Sequence, residues 1–318
     1  MKKGRLGLGV VLALLGLALL WGSSNAVIKV GGREMSPLFM AGMRSVLASF
    51  CLWIWLKLKG ISLFPSLVIV GHGIMVGFLF GLEFGLVYKA LEQIMASRAY
   101  ILTYTAPFFV ALGAHFFLKD DRLDLIKVLG LMLAFVGVVV LFLGDLSGFA
   151  LAVLPGDFLA LAAAASWAAT TVYLKRFLVG KVEPLRTLFY QVFFSIPFLL
   201  GMSLLWEDPM VTDLTWVGVG SLLFQGVVIA FLSYLAWFEL VHRHPVSLLH
   251  AFSFLTPICG VFLSGWLFMG EPIGYQTILA LGLVAGGLAL INRGPRVKPG
   301  VDASVVNTGD LPAKGRRG

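Results

Sequence analysis

Two ionisable side chains lie inside long apolar stretches, where they can recognise charge or carry a proton. Arg44 lies about two helical turns into the stretch at 37–56, and Glu83 lies toward the end of the stretch at 66–88. An ionisable group inside a bilayer costs at least ~2.5 kcal/mol, so it normally faces a cavity or a partner. Arg44 therefore binds or orients an anionic group, forms a structural ion pair, or reaches outward. Glu83 pairs with Arg44, carries a coupled proton, or reaches the outer interface.

Aromatic and small polar residues in other apolar stretches could complete a binding site. Aromatic rings line many small-molecule pockets, although they also form belts at membrane interfaces. Small polar side chains in such stretches bind ligands or, more often, serve helix packing. With Arg44 and Glu83, the candidate substrate-binding residues are Trp21, Asn25, Tyr100, Tyr104, Trp167, Thr171, Gln191, Tyr234, Trp237, His250 and Ser253. At such a position His250 is more often a hydrogen-bonded packing residue.

One acidic pattern points to an enzyme instead. Residues 120–124 spell DDxxD, which in prenyltransferases holds Mg²⁺ and a diphosphate. Hard cations do need clustered carboxylates, but the pattern occurs once and in a short loop, where a solvated helix start also explains it. No GxxxxGK[ST], HExxH, GxSxG or CxxC pattern occurs, so we predict no catalytic residues, no metal site and no cofactor.

The composition predicts an all-α polytopic membrane protein. Of the 318 residues, 59% are hydrophobic and 13% are charged, whereas a soluble domain has about 25% charged residues. A soluble globule and intrinsic disorder are both excluded by this balance. Barrel strands alternate over about ten residues, whereas these stretches are continuously apolar for about twice that length.

Ten stretches are long and apolar enough to be spanning helices, which need about 20 residues. They lie near 7–28, 37–56, 66–88, 96–118, 125–143, 156–177, 185–205, 214–239, 247–268 and 274–292. The first also resembles a signal peptide, with a basic start and a small-x-small pattern at 24–26. The internal repeat described below needs it as a retained helix.

The distribution of basic residues predicts the orientation. If the N-terminus is cytoplasmic, 19 of the 24 Lys and Arg residues fall in inner segments and 4 in outer segments, and Arg44 lies within a span. Positive residues favour the cytoplasmic side, so we expect both termini inside. The same bias accounts for the net charge of +8 without a nucleic-acid partner.

The two halves of the chain match at nearly constant offsets. Matched pairs include Trp21 with Trp167 (146 residues apart), Arg44 with Gln191 (147) and Pro107 with Pro257 (150). Five spans is an odd number, so the second unit enters the membrane from the opposite side. We therefore predict ten transmembrane helices as two inverted five-helix repeats, an arrangement typical of secondary transporters.

The matched prolines interrupt helices, since proline frees a backbone carbonyl and permits a kink. Kinks at equivalent positions, Pro107 and Pro257, suit helices that bend during gating, and they are equally compatible with a static shape.

Several motifs resemble the EamA family of the drug/metabolite transporter superfamily. They are Trp21-Gly22, Pro37 followed by Arg44, the segment at 105–121 and its repeat at 255–271. The first copy departs from the pattern, because it has Lys119-Asp120-Asp121 where the second has Met269-Gly270-Glu271. The resemblance covers about residues 7–292.

The resemblance implies a multi-pass transporter of the bacterial cytoplasmic (inner) membrane that exports a small polar metabolite, such as an amino acid, often with proton coupling. We expect alternating access between the repeats. The expected partners are the lipid bilayer, a small-molecule substrate and protons as the coupling ion, in a monomer or homodimer. The alternative is an integral-membrane enzyme acting on a lipid or prenyl substrate, and a receptor or structural membrane protein is a third.

The expected organisation has four parts. Residues 1–6 form a cytoplasmic N-terminus, 7–143 the first EamA-like five-helix repeat, 156–292 the second such repeat, and 293–318 a disordered basic cytoplasmic tail.

Overall fold

The computed structural model describes residues 6–64, 66–94, 96–119, 121–142, 154–263 and 275–293. The extreme N-terminus at 1–5 and the predicted tail from 294 onward lie outside this range. Helices dominate the described residues, and the β structure found among them is an isolated bridge between Met35 and Val211.

The described helices overlap the predicted stretches, three of which are divided into shorter pieces. In chain order they are α1 (Leu8–Gly31), α2 (Pro37–Leu58), α3 (Leu67–Leu91), α4 (Ala96–Thr103), α5 (Ala106–Phe117), α6 (Leu125–Leu141), α7 (Leu154–Phe177), α8 (Pro184–Trp206), α9 (Trp216–Leu223), α10 (Tyr234–Arg243), α11 (Val246–Ala251), α12 (Leu255–Val261) and α13 (Tyr275–Arg293). A π-helix, Phe224–Ser233, joins α9 to α10, and a 3₁₀ turn, Phe252–Phe254, joins α11 to α12.

Local sequence explains where several helices begin. Pro37 and Pro184 lie in the first turns of α2 and α8, where the missing proline N–H costs nothing. Glu207 accepts hydrogen bonds from the backbone N–H groups of Leu38 (2.7 Å) and Phe39 (2.9 Å), at the start of α2. Asp124 caps α6 by accepting from the backbone N–H of Lys127 at 2.8 Å.

The helices have the length and surface of membrane helices. Within the described residues, six helical stretches are long and apolar enough to cross a membrane, and four shorter apolar stretches accompany them, at Leu8–Ser24, Ile101–Phe117, Leu125–Leu141 and Val246–Gly260. Large apolar side chains such as Leu67, Phe158 and Trp216 are exposed on the outside of the bundle. A water-soluble protein rarely exposes so much contiguous apolar surface, so this face contacts lipid.

Helices of one half pack against helices of the other half, and the contacts are repeated at equivalent positions. Helix α6 packs on α13 and α2 packs on α8, so equivalent helices meet each other. Helix α1 packs on α12, and equivalently α7 packs on α4 and α5. Helix α3 packs on α8, while the π-helix of the second half packs on α2. Equivalent elements of the two halves therefore make equivalent contacts, as expected for a pseudo-two-fold relation.

Small residues allow two of these helix pairs to touch through their backbones. A Cβ added to Gly22 of α1 would lie 2.6 Å from the backbone nitrogen of Gly260 in α12. A Cβ added to Gly287 of α13 would lie 2.5 Å from the carbonyl oxygen of Gly130 in α6. Neither position has room for a larger residue.

Candidate functional site

A cavity of about 220 Å³ lies between the two halves. Both halves contribute to its wall, in which eight of the 19 lining residues are aromatic. It is lined by Trp21, Ser24, Ile28, Arg44, Phe80, Glu83, Phe84, Thr103, Tyr104, Trp167, Thr170, Thr171, Leu174, Gln191, Ile229, Tyr234, Trp237, Phe238 and Thr256.

Equivalent positions of the two repeats face the same cavity. Five pairs of lining residues are related by the repeat offsets: Trp21 with Trp167, Ser24 with Thr170, Ile28 with Leu174, Arg44 with Gln191, and Phe84 with Tyr234. The offsets are 146 residues for the first three pairs, then 147 and 150. The cavity therefore lies where the pseudo-two-fold axis would pass.

Arg44 lies in the wall with its side chain almost fully buried, at 4% exposure. Its guanidinium carbon lies 4.3 Å from the centre of the Phe84 ring, a cation–π contact. Its Nε and Nη2 atoms have no hydrogen-bond partner among the described residues. The buried guanidinium is held in place by the ring while two of its donors stay unused.

Glu83 occupies the same wall on the neighbouring helix. Arg44 lies seven residues after the start of α2 and Glu83 eight residues before the end of α3, so both lie about 10–12 Å from the same end of the bundle. The Glu83 Oε2 atom is buried without a hydrogen-bond partner among the described residues. The ion pairs found in the described structure do not include Arg44 or Glu83.

The tryptophans of the wall are fixed by edge-to-face contacts. The Trp21 ring lies 5.3 Å from Trp237 and 6.3 Å from Tyr234, and its Nε1 donates to the Ser233 hydroxyl at 3.0 Å. On the other side, Trp167 lies 6.5 Å from Tyr104 in the same geometry. These contacts fix the rings, so the wall is rigid and largely apolar.

His250 lies behind the wall rather than in it. The ring is fully buried at 0% exposure, and it packs edge-on against Trp167 (5.3 Å) and Trp237 (5.1 Å). Its Nε2 atom is hydrogen-bonded to the Thr171 hydroxyl at 3.0 Å, while Nδ1 has no partner among the described residues. His250 therefore supports two wall tryptophans and Thr171, which itself lines the cavity.

The remaining candidate residues lie outside this wall or outside the described side chains. Ser253 is buried and donates to the His250 carbonyl oxygen at 2.7 Å, beside a much smaller pocket. The side chains of Asn25 and Tyr100 are not among those that the structure describes. Binding roles for all the candidate residues stay predictions.

Several lining residues were not among the sequence candidates. Ser24, Thr103 and Thr256 add hydroxyl groups, and Phe80, Phe84 and Phe238 add aromatic surface. The repeat offsets contained a signal for some of them. Thr103 is 150 residues before the candidate Ser253, and Phe84 is 150 residues before the candidate Tyr234.

The two spans that contain the matched prolines, Pro107 and Pro257, are interrupted at the level of the cavity. Helix α4 ends at Thr103 and α5 begins at Ala106, just before Pro107. In the second half the 3₁₀ turn precedes Pro257. Thr103 and Tyr104 at the first break and Thr256 near the second line the cavity. Interrupted helices in corresponding positions are typical of transporter binding sites, and a gating role stays a prediction.

The π-helix also acts at the cavity. It adds a residue to each turn before α10, which places Ile229 and then Tyr234, Trp237 and Phe238 in the wall. Gln225, within the π-helix, is fully buried and bonds to Ser24: its Nε2 donates to the Ser24 carbonyl at 3.0 Å, and its Oε1 accepts from the Ser24 hydroxyl at 3.0 Å. The apolar pattern of this span carries no sign of the change in winding.

The described residues of the acidic pattern at 120–124 have structural roles. Asp121 accepts from the backbone N–H of Ser247 at 2.9 Å, from the Ser247 hydroxyl and from Lys127 at 3.0 Å. Asp124 is the cap of α6. No cluster of three potential metal ligands occurs among the described residues. Asp120 lies outside the described range.

Polar contacts tie the helices together at both ends of the bundle. At the end that holds the α1–α2 connection, Glu34 accepts from the backbone N–H (2.9 Å) and hydroxyl (2.7 Å) of Thr215. These bonds, the hydroxyl first, hold the pKa of the exposed Glu34 carboxyl below its ordinary value. At the opposite end, Lys175 donates to the backbone carbonyls of Val241 and His244, at the C-terminus of α10. These contacts lie at the two ends of the bundle, with the cavity between them.

The bundle and its cavity define a helical membrane protein with a ligand-sized site between two related halves. A sequence profile of the EamA-like transporter family matches residues 8–143 and 154–293. The chain belongs to this family, and it is a membrane transporter built from two EamA repeats.

Curated relatives and a solved structure are similar over most of the chain. A probable amino-acid metabolite efflux pump of Salmonella typhimurium is 30% identical over 90% of this chain and 95% of its own. The uncharacterized transporter YoaV of Bacillus subtilis is 24% identical over 88% and 95%, and the uncharacterized inner membrane transporter YedA of Escherichia coli is 27% identical over 90% and 92%. One crystal structure, 23% identical, matches with a TM-score of 0.74 over 88% of this chain and 94% of its own, which shows a shared fold.

Proposed function

We propose that this chain is a secondary transporter of the inner membrane that exports a small polar metabolite of the amino-acid class by alternating access. The observation that carries the proposal is the cavity lined by equivalent residues of both repeats. A site on the axis between two related units is contacted by both of them. A relative movement of the units therefore changes which side of the membrane can reach it.

The proposed topology has ten spans and two inverted repeats. The six long helical stretches and the four shorter apolar stretches add up to that number. Five spans in each repeat reverse the direction of the second unit. The excess of Lys and Arg in the inner segments supports an orientation with both termini in the cytoplasm.

The direction of transport and the substrate class rest on the relatives and on the wall. The Salmonella and Escherichia coli relatives named as amino-acid metabolite efflux pumps are 30% and 28% identical. A wall with two opposite charges, hydroxyl groups and aromatic rings suits a small molecule that has both polar and apolar parts. The inner-membrane location is proposed from the relative YedA, an uncharacterized inner membrane transporter.

The decisive experiment is counterflow in liposomes with the purified full-length chain. Liposomes loaded with an unlabelled amino acid should accumulate the labelled one transiently, while protein-free liposomes should not. A transported molecule should leave chemically unchanged. Conversion of an added lipid or prenyl substrate to a product, without counterflow, would instead establish the enzyme alternative.

Topology and proton coupling have separate tests. A cysteine placed at Glu92 should react with an impermeant reagent from outside intact cells, and one at Arg243 should react only after the membrane is opened. For coupling, we propose Glu83 as the proton carrier. Transport by Glu83→Gln should then lose the pH dependence of the wild type, and an unchanged pH profile would remove Glu83 from that role.

A further inference from the structure

Arg44 and Glu83 are the two charged residues among the described side chains that line the cavity. They lie on consecutive helices at the same depth, within electrostatic range of each other, yet no ion pair joins them. Tyr234 lies within interaction range of both. The cavity thus holds a guanidinium and a carboxyl group in one wall, each with buried polar atoms left unbonded among the described residues.

Unbonded charged groups in a low-dielectric wall are costly, and evolution usually removes them or pairs them. The ion pairs found among the described residues do not include one between Arg44 and Glu83, and the Arg44 guanidinium instead lies over the Phe84 ring. A ligand that carries both charges satisfies both groups at once. Its anionic end would meet the guanidinium donors, and its cationic end would meet the carboxylate.

The remaining wall residues indicate the chemistry of the uncharged part of such a ligand. Beyond the charged pair, the wall is dominated by the rings of Trp21, Trp167 and Trp237 and by neutral polar groups. Aromatic rings favour an apolar or aromatic substituent. The matched position of Arg44 in the second repeat is the neutral Gln191, so the charges lie on one side of the cavity.

We propose that the cavity binds a zwitterionic amino acid with its carboxylate on Arg44, its ammonium on Glu83 and an apolar side chain against the tryptophans. This inference rests on the proposed transport function and adds the assignment of each end of the substrate. Arg44 and Glu83 then set specificity by requiring both charges in one molecule. A molecule that carries a single charge leaves either Arg44 or Glu83 without a partner.

The assignment is tested by ligand-induced thermal stabilisation of the full-length chain in detergent. The probes are L-phenylalanine and L-leucine, the amide of each (no carboxylate), and 3-phenylpropionate and 4-methylpentanoate (no amine). At least one amino acid should stabilise the protein, and its two single-charge analogues should bind about tenfold or more weakly, because each loses a charge-assisted hydrogen bond.

The variants assign the ends. Arg44→Gln introduces the side chain found at the matched position, 191. This variant should no longer prefer the amino acid to its amide. It should still prefer the amino acid to the analogue that lacks the amine. Glu83→Gln should show the reverse. Arg243→Gln and Glu92→Gln, which change exposed members of surface ion pairs, serve as controls and should keep both preferences.

Folding defects are separable from lost recognition. Each variant must first elute as a single species and show a cooperative melting transition. If Arg44→Gln fails this check, Arg44→Lys replaces it. Because Arg44→Lys keeps the charge, it should retain part of the preference for the amino acid over its amide. Equal stabilisation by an amino acid and its amide in the wild type would overturn the assignment. So would counterflow of other solutes by a protein that neither amino acid stabilises, an outcome that leaves the transport function standing. Absence of counterflow for every solute would contradict the transport function itself.

Discussion

Ser24 and Gln225, 201 residues apart in sequence, are hydrogen-bonded through the hydroxyl and the carbonyl of the serine. The contact joins α1 to the π-helix beside the cavity, and Ser24 itself lines the wall. Both side chains are buried, so the bonds have no water to compete with. They tie the irregular winding of the second repeat to the first.

This contact predicts a measurable coupling. Gln225→Leu removes every bond that the Gln225 amide makes to Ser24. Ser24→Ala removes the hydroxyl and keeps the bond from Gln225 Nε2 to the Ser24 carbonyl, so the cycle measures the hydroxyl contact. A double-mutant cycle on the free energy of unfolding should give a coupling of about 0.6 kcal/mol, the average for polar contacts between membrane helices, and at most about 1.7 kcal/mol. Strict additivity of the two single changes would contradict the contact.

The backbone contact between α6 and α13 predicts opposite results at two glycines of one helix. Gly287→Ala should lower the melting temperature, because the new Cβ would lie 2.5 Å from the Gly130 carbonyl oxygen. Gly282→Ala has open space around it and should stabilise by up to about 1 kcal/mol through helix propensity. Melting of the two variants in the same detergent makes the comparison, and equal effects would argue against this packing.

The buried Asp121 predicts a loss of stability that an exposed aspartate does not share. Asp121→Asn should cost about 1–3 kcal/mol, because the amide nitrogen cannot accept the bonds that Ser247 and Lys127 donate. Asp213→Asn, on the surface, should change the free energy of unfolding by no more than about 0.5 kcal/mol. If Asp121→Asn destabilised the protein as little as Asp213→Asn does, the hydrogen bonds of Asp121 would contribute nothing to stability.

The Glu34 contact predicts a pH dependence with a definite sign. Its pKa is held below the ordinary 4.5 by the bonds from Thr215, so the folded state favours the carboxylate. The stabilisation is fully present above pH 4.5, shrinks as the pH falls below that value, and is lost once the pH passes below the folded-state pKa. The melting temperatures of wild type and Glu34→Gln should therefore differ at pH 7 and converge in acid.

A constant difference between the two proteins down to strongly acidic pH would contradict this link. Thr215→Val gives a second measurement. It removes the hydroxyl that contributes most to the shift, and so it should raise the pKa of Glu34 toward its ordinary value.

Membership of the family and a helical membrane architecture could be predicted from the sequence, because both leave local signals. Apolar runs of sufficient length indicate spans, and residues such as Trp21 and Trp167 repeat at a fixed offset. The same offsets placed Arg44 and Gln191 at equivalent positions, and the structure brings both to one cavity.

The position of His250 could not be predicted, because it depends on tertiary contacts. The ring is held behind the wall by the Thr171 hydroxyl and by the rings of Trp167 and Trp237, which come from other helices. The π-helix is a similar case. Its extra residue per turn is maintained by tertiary contacts such as that of Gln225 with Ser24, which no local pattern encodes.

The unlike side chains at equivalent positions of the cavity have a consequence for how a ligand can lie there. Two identical halves would offer a ligand two poses of equal energy, related by the two-fold axis. Arg44 stands at the position equivalent to Gln191, and Phe84 at the position equivalent to Tyr234, so those poses are unequal. A bound ligand with distinguishable ends therefore takes a single orientation. The two halves arise from one repeated pattern, while the surface that a ligand meets differs from one end of the cavity to the other.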